Sequence, residues 1–173
     1  MTRHRILSLD GGGAWALIQV RALINLHGLN ARGHDVLAQF DLAASNSGGS
    51  LVLGGLLMDL TLEELLSLFL DQAKRRSIFA APGIWPGRYA ATGKLEGLRA
   101  ILGPWDRPLP EIGSCTGNRG RQLPHLLFCA YDLPAQRGAL FRSDLSSPSA
   151  SFEPPPRRPS ASLAEAIHAS SNA

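Results

Sequence analysis

Arg5-Ile-Leu-Ser-Leu-Asp-Gly-Gly-Gly13 decides how this chain is read. Residues 5–9 alternate apolar and polar, which predicts a strand with one buried face. The strand halts at Asp10-Gly11-Gly12-Gly13, a tight glycine turn. Over 14–26 the apolar residues Leu17, Ile18, Ala22, Leu23 and Leu26 recur at helical spacing, and Gly28 is placed to end that helix. The unit then repeats. Phe40-Asp-Leu-Ala-Ala44 reads as a second strand, Ser45-Asn-Ser-Gly-Gly49 as its turn, and 50–59 as a buried helix. Two successive strand–turn–helix units predict parallel strands joined by helical crossovers, and hence an α/β fold.

Further along, Thr61-x-x-Glu64 is a capping box, and Leu65, Leu66, Phe69 and Leu70 continue it as an apolar stripe to about residue 76. Residues 78–92 carry Pro82-Gly83 and Trp85-Pro-Gly87 and read as a loop or lid-like excursion. Residues 94–102 form a short helix closed by Gly103, and 104–121 read as irregular. A strand is expected over 126–131, with 139–142 as its partner across a turn at Gln136-Arg-Gly138. Residues 143–161 are Ser/Pro-rich and expected to be exposed. Ser162-Leu-Ala-Glu165 is a second capping box, opening a helix over 163–169. Phe69 and Phe79 are read as core. Trp85 and Tyr89 could meet a lipid surface but are more simply packing residues.

The chain has 173 residues, enough to bury roughly 70% of its unfolded surface in a core. Hydrophobic residues make up 45% and charged residues 18%, which excludes a disordered, charge-rich chain. The longest uncharged stretch, 42–58, is 17 residues broken by Ser, Asn and Gly, so no transmembrane helix is expected. No cleavable apolar leader opens the sequence, and the cytoplasm is the default compartment. The net charge of +3 comes from 15 Arg and 2 Lys against 14 acids, with no long basic run and no aromatic-interleaved basic motif. Nucleic acid is therefore not an expected partner. Cys115 and Cys129 form no C-x-x-C and read as reduced, buried thiols. No H-x-x-x-H or carboxylate cluster marks a metal site, and His27, His34, His125 and His168 read as surface or partly buried residues without catalytic spacing.

Ser47 is the candidate nucleophile. It sits between a strand and a helix, among small residues. A sharp turn there exposes the hydroxyl, and the helix N-terminus behind it aims amides at a developing oxyanion. Gly11, Gly12 and Gly13 follow a strand in the same way and expose backbone N–H groups, a second anion-binding element. Phosphate binding is the rival use. The dinucleotide fingerprint G-x-G-x-x-G is not met, because Ala16 occupies the last place. A phosphate loop at 87–95 fails on spacing and on Leu95 where Ser or Thr is required. Both candidate loops lie at the carboxyl ends of predicted parallel strands, where sites assemble in open α/β sheets.

Taken together, the two loops resemble the patatin-like phospholipase family. That family carries D-G-G-G-x-R-G after its first strand as the oxyanion loop and its nucleophile in G-x-S-x-G. Asp10-Gly-Gly-Gly-Ala-Trp-Ala16 and Ser45-Asn-Ser-Gly-Gly49 match at this spacing. Ser162-Leu-Ala-Glu-Ala-Ile-His-Ala-Ser-Ser171 is similar to the family's helix leading into its last catalytic loop. Trp15 stands where the family has Arg, Ala16 replaces the final glycine of the first motif, and Ser45 replaces the first glycine of the second. Ala and Ser are small enough to keep the geometry, whereas Trp15 removes a charge near the site.

The resemblance implies a three-layer sandwich, a mostly parallel central sheet flanked by helices, with 1–173 as one patatin-like domain incomplete at its C-terminus. It implies a lipid acyl hydrolase of phospholipase A or lysophospholipase type working through a Ser–Asp dyad. Ser47 is then the nucleophile, and Gly11, Gly12, Gly13 and Gly48 form the oxyanion hole. No metal or organic cofactor is implied. The substrate is a phospholipid or other acyl ester, met in transient contact with a membrane surface. The family's dyad aspartate lies in D-G-[GA]. The one Asp-Gly pair here is Asp10-Gly11, on the oxyanion loop, and Asp106, Asp132 and Asp144 precede Arg, Leu and Leu. The base is therefore expected beyond this sequence, leaving the chain itself inactive. The competing expectations are an inert or acyl-binding module, and a nucleotide-binding domain resting on the glycine loop alone.

Overall fold

The computed structural model describes residues 3–71, 91–118, 120–144 and 161–171. It is a mixed α/β fold built on one four-stranded sheet in the order β1-β2-β3-β4. β1 (Ile6–Leu9), β2 (Leu42–Asn46) and β3 (His125–Asp132) run parallel, and β4 (Arg137–Arg142) pairs antiparallel with β3. The register aligns Leu7, Ala43 and Leu126 in one row and Leu9, Ser45 and Phe128 in the next. All six are buried, so the alternation that predicts β1 is the alternation that fills the core.

Both strand–turn–helix units form. A 3-10 turn (Gly13–Ala16) leads into α1 (Leu17–His27), which Gly28 ends at φ 90° while its N–H closes on Ile24 O. α2 (Gly33–Leu37) precedes β2, which starts two residues later than expected. α3 (Gly48–Leu57) is buried along nearly its whole length, as an apolar helix without a polar face must be. α4 (Leu62–Leu70) has the complete Thr61/Glu64 capping box and buries Leu62, Leu65, Leu66 and Phe69. It ends at Leu70 rather than near 76. Asp71, its C-cap, already has extended backbone, and its N–H closes on Ser67 O.

α5 (Ala91–Leu102) and a 3-10 turn at Gly103–Trp105 follow, then α6 (Leu109–Gly113), a helix the irregular reading of 104–121 missed. α6 has only five residues, two of its early positions are Leu-Pro, and it is held by burying Leu109 and Ile112. The hairpin turn lies at 133–136, with Gln136 at φ 51°. Arg137 and Gly138 belong to β4 rather than to the turn. α7 (Leu163–Ser170) carries the complete Ser162/Glu165 capping box. Ser143 corrects the expectation of an exposed 143–161. It is buried, its N–H donates to Leu126 O and its hydroxyl accepts from Leu126 N–H, which extends the β3–β4 ladder by one pair. The expected loop at 78–92 is corrected at its end, where Ala91 and Thr92 already belong to α5; the rest of it, Phe79, Trp85, Tyr89 and residues 145–160 lie outside the described residues.

A second polar cluster fastens the far end of α3. Buried Asp59, at φ 57°, accepts from Arg32 Nε (2.7 Å), from His34 N–H (2.9 Å) and from Asn118 Nδ2. His34 Nε2 lies 2.9 Å from Leu57 O and so carries the hydrogen, while Nδ1 accepts from Asn118 N–H. His34 is thus a fully used buried residue rather than the surface or partly buried one expected, because Asn118 and the Leu57 carbonyl satisfy both ring nitrogens.

Candidate functional site

Because Leu9 and Ser45 are register partners on adjacent parallel strands, the chain leaves β1 and β2 side by side. The glycine loop and the Ser47 turn are therefore neighbours. A Cβ built on Gly11 would lie 3.3 Å from Ser47 Cβ, and one on Gly48 would lie 2.4 Å from Gly13 O. One on Gly49 would lie 2.1 Å from Leu9 O. The last two contacts are to backbone, which cannot swing aside, so Gly48 and Gly49 are what lets the start of α3 sit against the glycine loop. Ser45, Asn46, Ser47, Gly11 and Gly48 thus meet at one sheet edge, as the spacing of the two motifs predicts.

Ser47 has φ 48° and ψ −117°. A serine in this region is strained by about 1–3 kcal/mol, and such strain persists only where surrounding structure holds it. Its side chain does not cap α3, and among the described residues its hydroxyl has no hydrogen-bond partner. It is half-buried at the head of a ten-residue helix whose first-turn amides lack intrahelical acceptors. Across from it, Gly12 (φ 137°) and Gly13 (φ 56°) hold positive-φ conformations that favour glycine. Trp15 N–H closes the turn on Gly12 O, and Gln19 Nε2 holds Asp10 O at 2.7 Å. The Trp15 ring is 74% exposed, directed to solvent rather than over Ser47.

The sequence reading missed the layer beneath. Ser45, Ser50 and Ser170 are buried and linked: Ser45 Oγ to Ser50 Oγ at 3.1 Å, and Ser50 Oγ to Ser170 Oγ at 2.8 Å. Ser170 donates to Cys129 O at 2.6 Å and accepts the Ser47 N–H at 2.9 Å. The signal for it was available. Ser170 falls on the apolar stripe of α7, in line with Leu163 and Ile167, where a polar residue needs a buried partner.

Near the same end of α7, Lys94 of α5 is buried and donates to Ser171 O at 2.8 Å. Burial lowers its pKa to about 8. His168 is pushed below its usual range by burial and by Lys94. Burial also raises the Cys129 thiol, and both cysteines are free and half-buried. An apolar cavity lies along α3 from Leu51, one turn past Ser47, between Met58, Leu68, Phe69, Ile101 and Ile167. Among the described residues, no group of three His, Cys, Asp or Glu is placed to hold a metal ion, and no helix is long and apolar enough to cross a membrane. No family model and no curated protein matches the chain.

Proposed function

We propose that this chain carries the nucleophile and oxyanion half of a lipid acyl hydrolase of the patatin-like type, in that family's three-layer arrangement. The observation that carries the reading is Ser47 itself: a non-glycine residue in a strained turn between a parallel strand and a buried helix, its hydroxyl unengaged, with the glycine loop packed against it. Strain of this kind at a free nucleophile is hard to account for by packing alone. In the reaction, Ser47 Oγ attacks the ester carbonyl carbon while a base takes its proton. The carbonyl oxygen becomes an oxyanion received by the amides of Gly48 and of Gly11, Gly12 and Gly13. Collapse expels the alcohol, which takes the proton from the base, and water then releases the acid and restores Ser47.

No carboxylate among the described residues is bonded to Ser47, and no second Asp-Gly pair occurs in the sequence. The reading therefore takes its base aspartate from outside these residues. Fluorophosphonate labelling of the full-length protein, followed by peptide mapping, is the test. Modification at Ser47, lost in Ser47→Ala, is expected. Modification at another serine, or none, overturns the reading.

The unengaged Ser47 hydroxyl also fits a second reading, an acyl-binding module without turnover. Hydrolysis of a short acyl ester by the full-length protein, abolished by Ser47→Ala, would eliminate it.

A further inference from the structure

We propose that Ser170 is a positioning residue for Ser47, holding the strained turn through a directional chain of buried hydroxyls; this rests on the hydrolase reading above. A serine hydroxyl has one hydrogen to donate and two lone pairs to accept with. Ser170 uses all three. It donates to Cys129 O on β3 and accepts from Ser50 Oγ and from Ser47 N–H. Since Ser50 gives its hydrogen to Ser170, the Ser45–Ser50 contact must run with Ser45 as donor. The hydrogens then point one way: Ser45 to Ser50 to Ser170 to Cys129 O. Bonds arranged in series polarise one another, and none of the three hydroxyls is left unsatisfied.

Two consequences follow. Ser47 N–H is the backbone donor of the strained residue, and its bond to Ser170 fixes that residue's peptide plane. The same bond removes Ser47 N–H from the set of oxyanion donors, leaving Gly48 and the glycine loop for that role. Ser170 reaches across from a helix 123 residues away in the chain, while its other bond ties that helix to β3, whose Cys129 is the register partner of Asn46. The nucleophile turn, the sheet and α7 are thus locked through one oxygen atom.

Two measurements on the full-length protein test this. The first is amide hydrogen exchange at Ser47, which reads the bond whatever the protein's activity. Slow exchange is expected in the wild type, and exchange at least about 10-fold faster in Ser170→Ala, with Ser45→Ala leaving it slow. Unprotected Ser47 in the wild type overturns the proposal and leaves the hydrolase reading standing. The second is the kinetics of fluorophosphonate labelling. Ser170→Ala should lower the maximal labelling rate by roughly 10-fold or more, with half-saturation unchanged, because a small misplacement of the nucleophile is costly. Ser170→Thr, which keeps the hydroxyl, should recover most of it. Equal maximal rates in the wild type and Ser170→Ala, or an equal loss in Ser45→Ala, overturn the proposal. Should Ser170→Ala fail to fold, Ser50→Ala, which removes one of the donors to Ser170, should show the same lowered rate to a smaller degree, and an unchanged rate overturns the proposal. Absence of labelling in the wild type, with Ser47 protected from exchange, instead refutes the hydrolase reading.

Discussion

Ser47 occupies backbone space that suits glycine, and it carries a side chain there. If the turn stores strain, removing the Cβ should release it. Ser47→Gly is therefore expected to be more stable than Ser47→Ala by about 1 kcal/mol, since both lose the hydroxyl and only alanine keeps the clash. Urea unfolding of the pair measures this, and equal midpoints would mean that the turn is unstrained. Ser47 is the N-cap of α3, a position where glycine is also preferred to alanine, so capping preference and relief of strain act in the same direction here. Inside the helix the two oppose each other, because alanine is there favoured over glycine by a similar amount. Gly49 shows the same contest already resolved: alanine would suit the helix, yet its Cβ would enter the Leu9 carbonyl. Neither fact requires more than the local pattern of small residues, which is why the two motifs were legible in the sequence.

The helices divide by how much of their information is local. α4 and α7 announce their starts through capping boxes four residues long, and both boxes form in full. α6 has no such signal, because five residues hold no helical period and only burial of Leu109 and Ile112 against the rest of the fold stabilises it. Ser170 is intermediate: its place on the apolar stripe of α7 is a local signal that it is buried, whereas its partners on β2–α3 and β3 are remote in sequence. Packing between α5 and α7 also has an electrical consequence. Arg99 of α5 pairs with Glu165 at 3.2 Å at the surface, while Lys94 is taken into the interior. Its folded pKa of about 8 lies below its ordinary 10.5. Between these values the unfolded chain holds a proton that the folded chain has given up, so stability rises with pH across that window. Below pH 8 the cost of burying the ammonium is fully present. His168 acts in the same direction at lower pH, its depressed pKa making acidification through the imidazole range destabilising. Lys94→Met should raise the urea midpoint at pH 7 and flatten the rise between about pH 8 and pH 10 relative to the wild type. A parallel pair of pH profiles would refute the assignment to Lys94.

At the scale of the whole molecule, the site is an agreement between distant parts of the chain. Adjacent parallel strands bring residues 10–13 beside 46–48, and this much follows from two repeated units and the placement of loops in parallel sheets. What holds the arrangement from behind is α7, which buries Leu163, Ala164, Ala166 and Ile167 against α3 and the sheet. Gly54 of α3 admits it: a Cβ there would stand 2.8 Å from Ile167 Cδ1. Ile167 is 1% exposed and sits one helical turn from Ser170. Truncating it removes packing from the same helix that supplies the hydroxyl to Ser47. Ile167→Ala is expected to cost about 2–5 kcal/mol, because a side chain enclosed by α3 and α5 leaves a cavity the backbone cannot close. Loss of global stability alone would speed exchange everywhere by one factor. If α7 is the latch of the turn, Ser47 and the α7 amides should instead speed up together by more than the amides of β1, which lies at the opposite edge of the sheet. Native-state hydrogen exchange on the Ile167→Ala protein distinguishes the two cases, and a uniform increase across β1, Ser47 and α7 would show that the turn is held by the core as a whole rather than by that helix.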